Sequence, residues 1–231
     1  MKLPSLLLML CLARALVVSG AEPPGKTIFA NLCFACHGVN GEGNPQIKSP
    51  SIASLPAWYV VAQLRNFQHD RRGFDPKDVE GQIMRAAAKS LDEKNTRAVA
   101  EYVAQMKRVV PKRTIVASTA AGELLYNERC MECHRFNAEG ELAFGSAPLV
   151  GLQDWYLKSQ LIKYKNGTRG VLKEDANGQK MAFAVGFIED DEALVSVVAY
   201  LVTLQEELAL AAKKKKGFKD PFEEVPVPAQ K

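Results

Sequence analysis

The pentapeptide Cys33-Phe34-Ala35-Cys36-His37 has a second version in the chain, Cys130-Met131-Glu132-Cys133-His134, and both read C-x-x-C-H. Two thiols three positions apart lie on one turn of helix. Each can add to one of the two vinyl groups on the edge of a haem, and the next residue then stands beneath the iron. A bare C-x-x-C also serves thioredoxin-like redox pairs and zinc knuckles, but the histidine that follows, present twice, selects covalent haem attachment. The expected cofactors are therefore two covalently bound haem c groups, one on Cys33 and Cys36, the other on Cys130 and Cys133. The fifth cysteine, Cys11, lies in an N-terminal apolar stretch, so no pair is left for a structural disulfide.

Superposing the two motifs sets an offset of 97 residues, and further matches fall at the same offset. Gly25 meets Gly122, Phe29 meets Tyr126, Trp58-Tyr59 meets Trp155-Tyr156, Gln63-Leu64 meets Gln160-Leu161, Arg72-Gly73 meets Arg169-Gly170 and Met84 meets Met181. The register slips by one in the last helix, where Tyr102 corresponds to Tyr200. Such self-similarity marks an internal duplication. Each half is small for a self-sufficient apolar core, and a haem would supply the missing filling.

The residue pattern is helical, with no convincing strand run. Short helices are expected over Lys26 to Cys33 and Gly122 to Cys130, and amphipathic helices over Pro56 to Asn66 and Gln153 to Lys165. A last helix opens near Asp92 in the first half and near Glu189 to Glu192 in the second, acidic residues suiting a helix N-terminus. Gly- and Pro-containing loops fill Gly38 to Ser54 and Phe136 to Gly151. The domain reading is 1–21 signal peptide, 22–107 first haem domain, 108–121 linker, 122–207 second haem domain and 208–231 lysine-rich tail.

An iron held by His37 or His134 needs a second axial ligand or an open site. Met84 lies 47 residues after His37, and Met181 lies 47 after His134. A lone methionine is usually core packing, but the same spacing in two copies favours ligation. A thioether ligand favours ferrous iron and raises the reduction potential. Met131 sits inside a motif, Met106 falls on the core face of a helix, and Met1 and Met9 belong to the N-terminal stretch. The third histidine, His69, has Asn166 as its counterpart and reads as a surface or propionate-side residue. The motif histidines should donate their outer ring N–H to a carbonyl, with Pro50 and Pro148 the candidate acceptors. Trp58, Tyr59 and Arg72 and their copies are candidates for holding haem propionates, with helix packing and surface charge the alternative.

Met1 to Ala21 contains Lys2, an apolar run from Leu6 to Val18 and the small residues Ser19-Gly20-Ala21, the pattern of a secretory signal cleaved after Ala21; an uncleaved anchor is the alternative. The run is short for a bilayer span and holds Arg14, so no transmembrane segment is expected in the mature chain. Export implies the periplasm. Without these residues 28 basic face 26 acidic side chains, a balance that gives no reason to expect nucleic-acid binding.

These features resemble the class I c-type cytochromes, and the tandem arrangement is similar to the dihaem cytochrome c4 family. The resemblance spans Glu22 to Leu204 and rests on the two C-x-x-C-H motifs, the Tyr-x-x-x-Gln-Leu segments at Tyr59 and Tyr156, the Arg-Gly pairs, and Met84 to Leu91 with Met181 to Ile188. It implies an all-α fold of two tandem class I cytochrome c domains, each wrapped around one covalently attached haem. It further implies an electron carrier, not an enzyme, moving electrons from an upstream quinol-oxidising complex or dehydrogenase toward a terminal oxidase. Permanent attachment to a dehydrogenase or oxidase complex is an alternative. A dihaem peroxidase-like enzyme is remote, because it needs an open iron site and usually more histidines.

Overall fold

The computed structural model describes residues 23–217. The expected signal peptide and the end of the lysine-rich tail lie outside these residues. Ten α-helices carry the described chain, with two isolated antiparallel bridges, Asn44 with Ser49 and Glu141 with Ser146, and no strand among the described residues.

The first half runs α1 (Pro24–Ile28), a π-helical turn (Phe29–Cys33), α2 (Phe34–His37), α3 (Ala57–Gln68), α4 (Val79–Lys89) and α5 (Glu93–Gln105). The second half runs α6 (Ala120–Arg129), α7 (Met131–His134), α8 (Asp154–Lys165), α9 (Ala176–Val185) and α10 (Asp191–Gly217). Four of the helices, α4, α5, α9 and α10, start where aspartates supply caps. Asp78 and Asp175 accept the N–H of Gly81 and Gly178, each at 2.9 Å, while Asp92 and Asp190 do the same for Asn95 and Ala193. A side-chain oxygen there satisfies one of the donors that a helix start leaves without an intrahelical partner. Helices α4 and α9, which bear Met84 and Met181, extend the helical content beyond what the apolar periodicity suggests.

The duplication is visible in three dimensions. In each half the first and last helices cross at a glycine: a Cβ added to Gly25 would lie 2.1 Å from the Ala98 carbonyl oxygen, and one added to Gly122 would lie 2.1 Å from that of Ser196. Beside each crossing an aromatic pair tilts together, Phe29 with Tyr102 at 5.6 Å and Tyr126 with Tyr200 at 5.5 Å. The one-residue slip in the last helix is thus a packing register, since Ala98 and Tyr102 map onto Ser196 and Tyr200.

Between the halves, residues 107–119 form no helix, yet they are fastened to the second half. The buried carboxylate of Asp154, at the start of α8, accepts the backbone N–H of Thr114 and Ile115 and the Thr114 hydroxyl. Arg113 pairs with Glu206 at 2.7 Å, and the Ser196 hydroxyl donates to the Ser118 carbonyl at 2.7 Å. The connection is a strap laid across α8 and α10.

Helix α10 does not stop at the expected boundary near Leu208; it continues to Gly217. Within Asp191–Lys214 an 18-residue stretch has a mean hydropathy of 1.5, so by length and composition the helix could cross a membrane. Its N-terminal turns, however, are the core of the second half, with Leu194, Val197, Val198, Leu201 and Val202 buried.

Candidate functional site

In both halves the histidine of C-x-x-C-H is buried at the end of a one-turn helix, and its Nδ1 is bound to a loop carbonyl. The His37 distance is 2.8 Å to Pro50, and the His134 distance is 2.7 Å to Ala147. A carbonyl can only accept, so Nδ1 carries the proton and Nε2 keeps its lone pair. Burial lowers both imidazole pKa values, with the carbonyl bond acting in the other direction. Each is therefore a neutral, oriented imidazole of the kind that binds iron. The acceptor in the second half is Ala147 and not Pro148. The 97-residue offset maps Pro50 onto Ala147, so the backbone keeps the repeat's register even where the proline has moved by one.

The thiols are free, and Cys33 and Cys130 are half-buried. Burial, with a smaller contribution from the partner cysteine, pushes each up to about 11. Thioether formation would add the S–H of each across a haem vinyl group.

A cavity of about 600 Å³ opens in the second half. Cys130, Cys133 and His134 line it from the motif, Met181 lines it from α9, and Leu157, Val185, Ile188, Val197 and Leu201 supply apolar walls. The cavity reaches the first half at Trp58, Tyr59 and Gln63. Met84 occupies the equivalent, half-buried position on α4.

Where the halves meet, two arginines and two glutamines form a closed ring. Arg72 donates to Gln63 Oε1 at 2.9 Å in its own half and to Gln160 Oε1 at 3.1 Å across the boundary. Arg169 donates to Gln160 Oε1 at 2.7 Å in its own half and to Gln63 Oε1 at 3.0 Å across. Arg72 also donates to the Tyr156 hydroxyl at 2.8 Å. Each guanidinium lies over an aromatic ring, Arg72 on Phe67 and Arg169 on Tyr164, at 4.6 Å. Burial acts to raise the Tyr156 hydroxyl, but the two arginines outweigh it and the net direction is down. Arg72 and Arg169 are buried, neither forms a salt bridge among the described residues, and the Nε of each lacks an acceptor.

Two buried cations without a carboxylate call for an anion. The donor set therefore fits haem: thiols and a neutral imidazole, a thioether on another helix, apolar walls, and orphaned guanidinium N–H groups where acidic side groups would lie. Of the residues expected to face propionates, Tyr59, Arg72, Tyr156 and Arg169 converge here, while Trp58 rims the cavity and Trp155 lines a separate surface groove. His69 is exposed at the end of α3. In the sequence Gln63 and Gln160 stand out as repeat markers and in the Tyr-x-x-x-Gln-Leu segments, and their recurrence alongside Arg72 and Arg169 is the signal available for the ring. Gln153 carried no such signal, having Pro56 as its counterpart. Its amide accepts the Ser51 N–H and donates to the Glu42 carbonyl, both at 2.8 Å, joining the halves a second time.

The cytochrome c family matches residues 23–107 and again 119–205, so this chain belongs to the cytochrome c family as two tandem domains. Among curated proteins it is 31% identical over 159 residues to the "Thiosulfate dehydrogenase electron acceptor" of Thiomonas intermedia (strain K12), covering 64% of this chain and 68% of that one. It is 30% identical over 164 residues to the cbb3-type cytochrome c oxidase subunit CcoP of Azospirillum brasilense, covering 64% of this chain and 53% of the subunit. Among solved structures, cytochrome c4 of Acidithiobacillus ferrooxidans superposes with a TM-score of 0.61 at 27% identity, over 75% of this chain and 99% of that one. The fold is that of a cytochrome c4-like protein, and the family is one of electron carriers with covalently bound haem c.

Proposed function

We propose that this chain is an exported dihaem electron carrier of the periplasm. Cys33 with Cys36 and Cys130 with Cys133 would hold the haems, and His37 with Met84 and His134 with Met181 would ligate the irons. The observation that carries the reading is the repeated ligand geometry. Each half has a buried histidine whose Nδ1 is committed to a carbonyl, and each has a methionine 47 residues later on a capped helix.

Bound haem supplies a one-electron ferric/ferrous couple. The protein's part is to orient the imidazole, present the thioether, exclude water with apolar walls and set cations near the acidic edge. Iron held by a histidine and a methionine from the protein would have no position left for substrate, which argues for carriage and against peroxidase chemistry. Mass spectrometry of the mature holoprotein tests the haem count. Two covalent haems and a near-infrared sulfur-to-iron band from each are expected; one haem, or no band, overturns the assignment.

Donation to a terminal oxidase remains our reading of the downstream step. The similarity to a thiosulfate dehydrogenase electron acceptor favours a dehydrogenase as the upstream donor. Similarity to an oxidase subunit supports the alternative of permanent attachment to a complex. Co-purification without crosslinking separates the two.

A further inference from the structure

The helix that carries Met84 is seated by three contacts at its first turn. Asp78 caps it through the Gly81 N–H at 2.9 Å. Gly73 packs so closely that an added Cβ would lie 2.2 Å from the Gly81 carbonyl oxygen. The third contact comes from the other half. Lys163, on α8, donates to the same Asp78 oxygen at 2.5 Å and to Glu80 at 3.2 Å. The Asp78 side chain is 2% exposed and that of Lys163 14%, so this pair is withdrawn from water. Breaking such a pair by removing one partner strands the other charge.

Helix α9, which carries Met181, repeats only the first two contacts. Asp175 accepts the Gly178 N–H at 2.9 Å, and a Cβ on Gly170 would lie 2.4 Å from the Gly178 carbonyl oxygen. At the place of Lys163 the first half has Asn66, which carries no charge. One methionine helix is therefore fastened from its own half alone, the other from both.

We propose that Lys163 is a positioning residue for the first haem iron: through Asp78 it makes the seat of the Met84 helix depend on the second half of the chain. The inference rests on the ligation assigned above. Met84 lies six residues beyond the capping aspartate, under two turns of helix, so a loosened first turn frees the thioether to leave the iron. Met181 has no such dependence on α3.

The test uses ferric holoprotein titrated with imidazole, which competes with methionine for iron. The near-infrared sulfur-to-iron band reports displacement. The proton signals of the ligating methionine methyls, assigned with Met84→His and Met181→His, tell the haems apart. Lys163→Met is expected to tighten imidazole binding at the first haem by about tenfold, the factor that loss of one helix cap would give, with the second haem unchanged. Lys163→Arg, which keeps the charge, should return wild-type behaviour. Asp78→Asn preserves a capping side chain but no carboxylate, so Lys163→Met should add nothing in that background. Unchanged imidazole affinity in Lys163→Met, or the same tightening with Asn at position 78, overturns the proposal. A wild-type protein without the sulfur-to-iron band overturns methionine ligation itself, a distinguishable result.

Discussion

The first half rests on a buried cluster of three residues, Phe29, Val99 and Val103. The second half draws on a continuous cluster that includes Tyr126, Leu157, Leu194 and Val198, and it extends into the first half through Leu55 and Tyr59. Two copies of one ligand spacing are thus mounted on unequal supports. The second has its own core, a strap and a longer last helix, whereas the first has the smaller cluster and is tied to its neighbour through Lys163 and Gln153. Duplicated ligand sets need not give equivalent sites, because what fastens them has diverged.

The strongest way to break this comparison is to remove each attachment in turn. Cys33→Ala with Cys36→Ala takes away the filling of the half that has the smaller cluster; we expect the first half to become open to protease. Cys130→Ala with Cys133→Ala should leave α6, α8 and α10 substantially protected, since their packing is largely side chain on side chain. Limited proteolysis followed by mass spectrometry reads both. Equal protection of the halves would mean that the two cores are equivalent.

The next effect is on potential. Met84→His and Met181→His each replace a thioether by imidazole, which donates more strongly to ferric iron. A fall of at least about 100 mV is expected for the substituted haem, within the roughly 0.8 V that axial ligands command. A spectroelectrochemical titration checks it and yields the order of the two potentials. Should neither substitution change spectrum or potential, the axial assignment fails.

A smaller shift should come from the ring that joins the halves. Arg72 and Arg169 each bond to glutamines of both halves, so Arg72→Gln removes a buried cation from a shared space. A nearby positive charge favours the ferrous state, hence both potentials should fall together, whereas the methionine substitutions act on one haem each. A response confined to the first haem would show that the ring serves the domains separately.

The features legible in the sequence are those that repeat. The two motifs and the His–Met spacing share one offset, and the aromatic pairs at the helix crossings recur with a slip of one residue in the last helix, so each copy vouches for the other. What the sequence concealed is what only one copy has. Lys163 and Gln153 have Asn66 and Pro56 as counterparts, and their partners, Asp78 and the Ser51 and Glu42 backbone, lie in the other half. No local pattern announces a contact of that range. The methionine helices carry exposed Val79, Ile83 and Phe183, so apolar residues there do not mark a face packed in the core. The shift from Pro148 to Ala147 shows the limit of reading an acceptor from residue type, since a backbone carbonyl is offered by any residue.

The last contrast lies at the ends of the halves. Helix α5 stops at Gln105, while α10 runs on to Gly217. Among its described side chains the last buried one is Gln205, and Lys213 and Lys214 are exposed, about 12 Å further along the helix at 1.5 Å per residue. The continuing helix therefore holds the start of the Lys213 to Lys216 run clear of the second domain, open to an acidic partner. Exposed charges of this kind change association rates more than bound-state affinity, and salt screens them within about 8 to 10 Å. Truncation after Ala212 should slow electron transfer to an acidic partner by about tenfold at low ionic strength, leave both potentials unchanged, and matter less as salt is added. Stopped-flow rates of the full and truncated proteins across a salt series decide it: equal rates at low salt would reduce the lysine run to a solvated helix end and remove this difference between the halves from any account of partner choice.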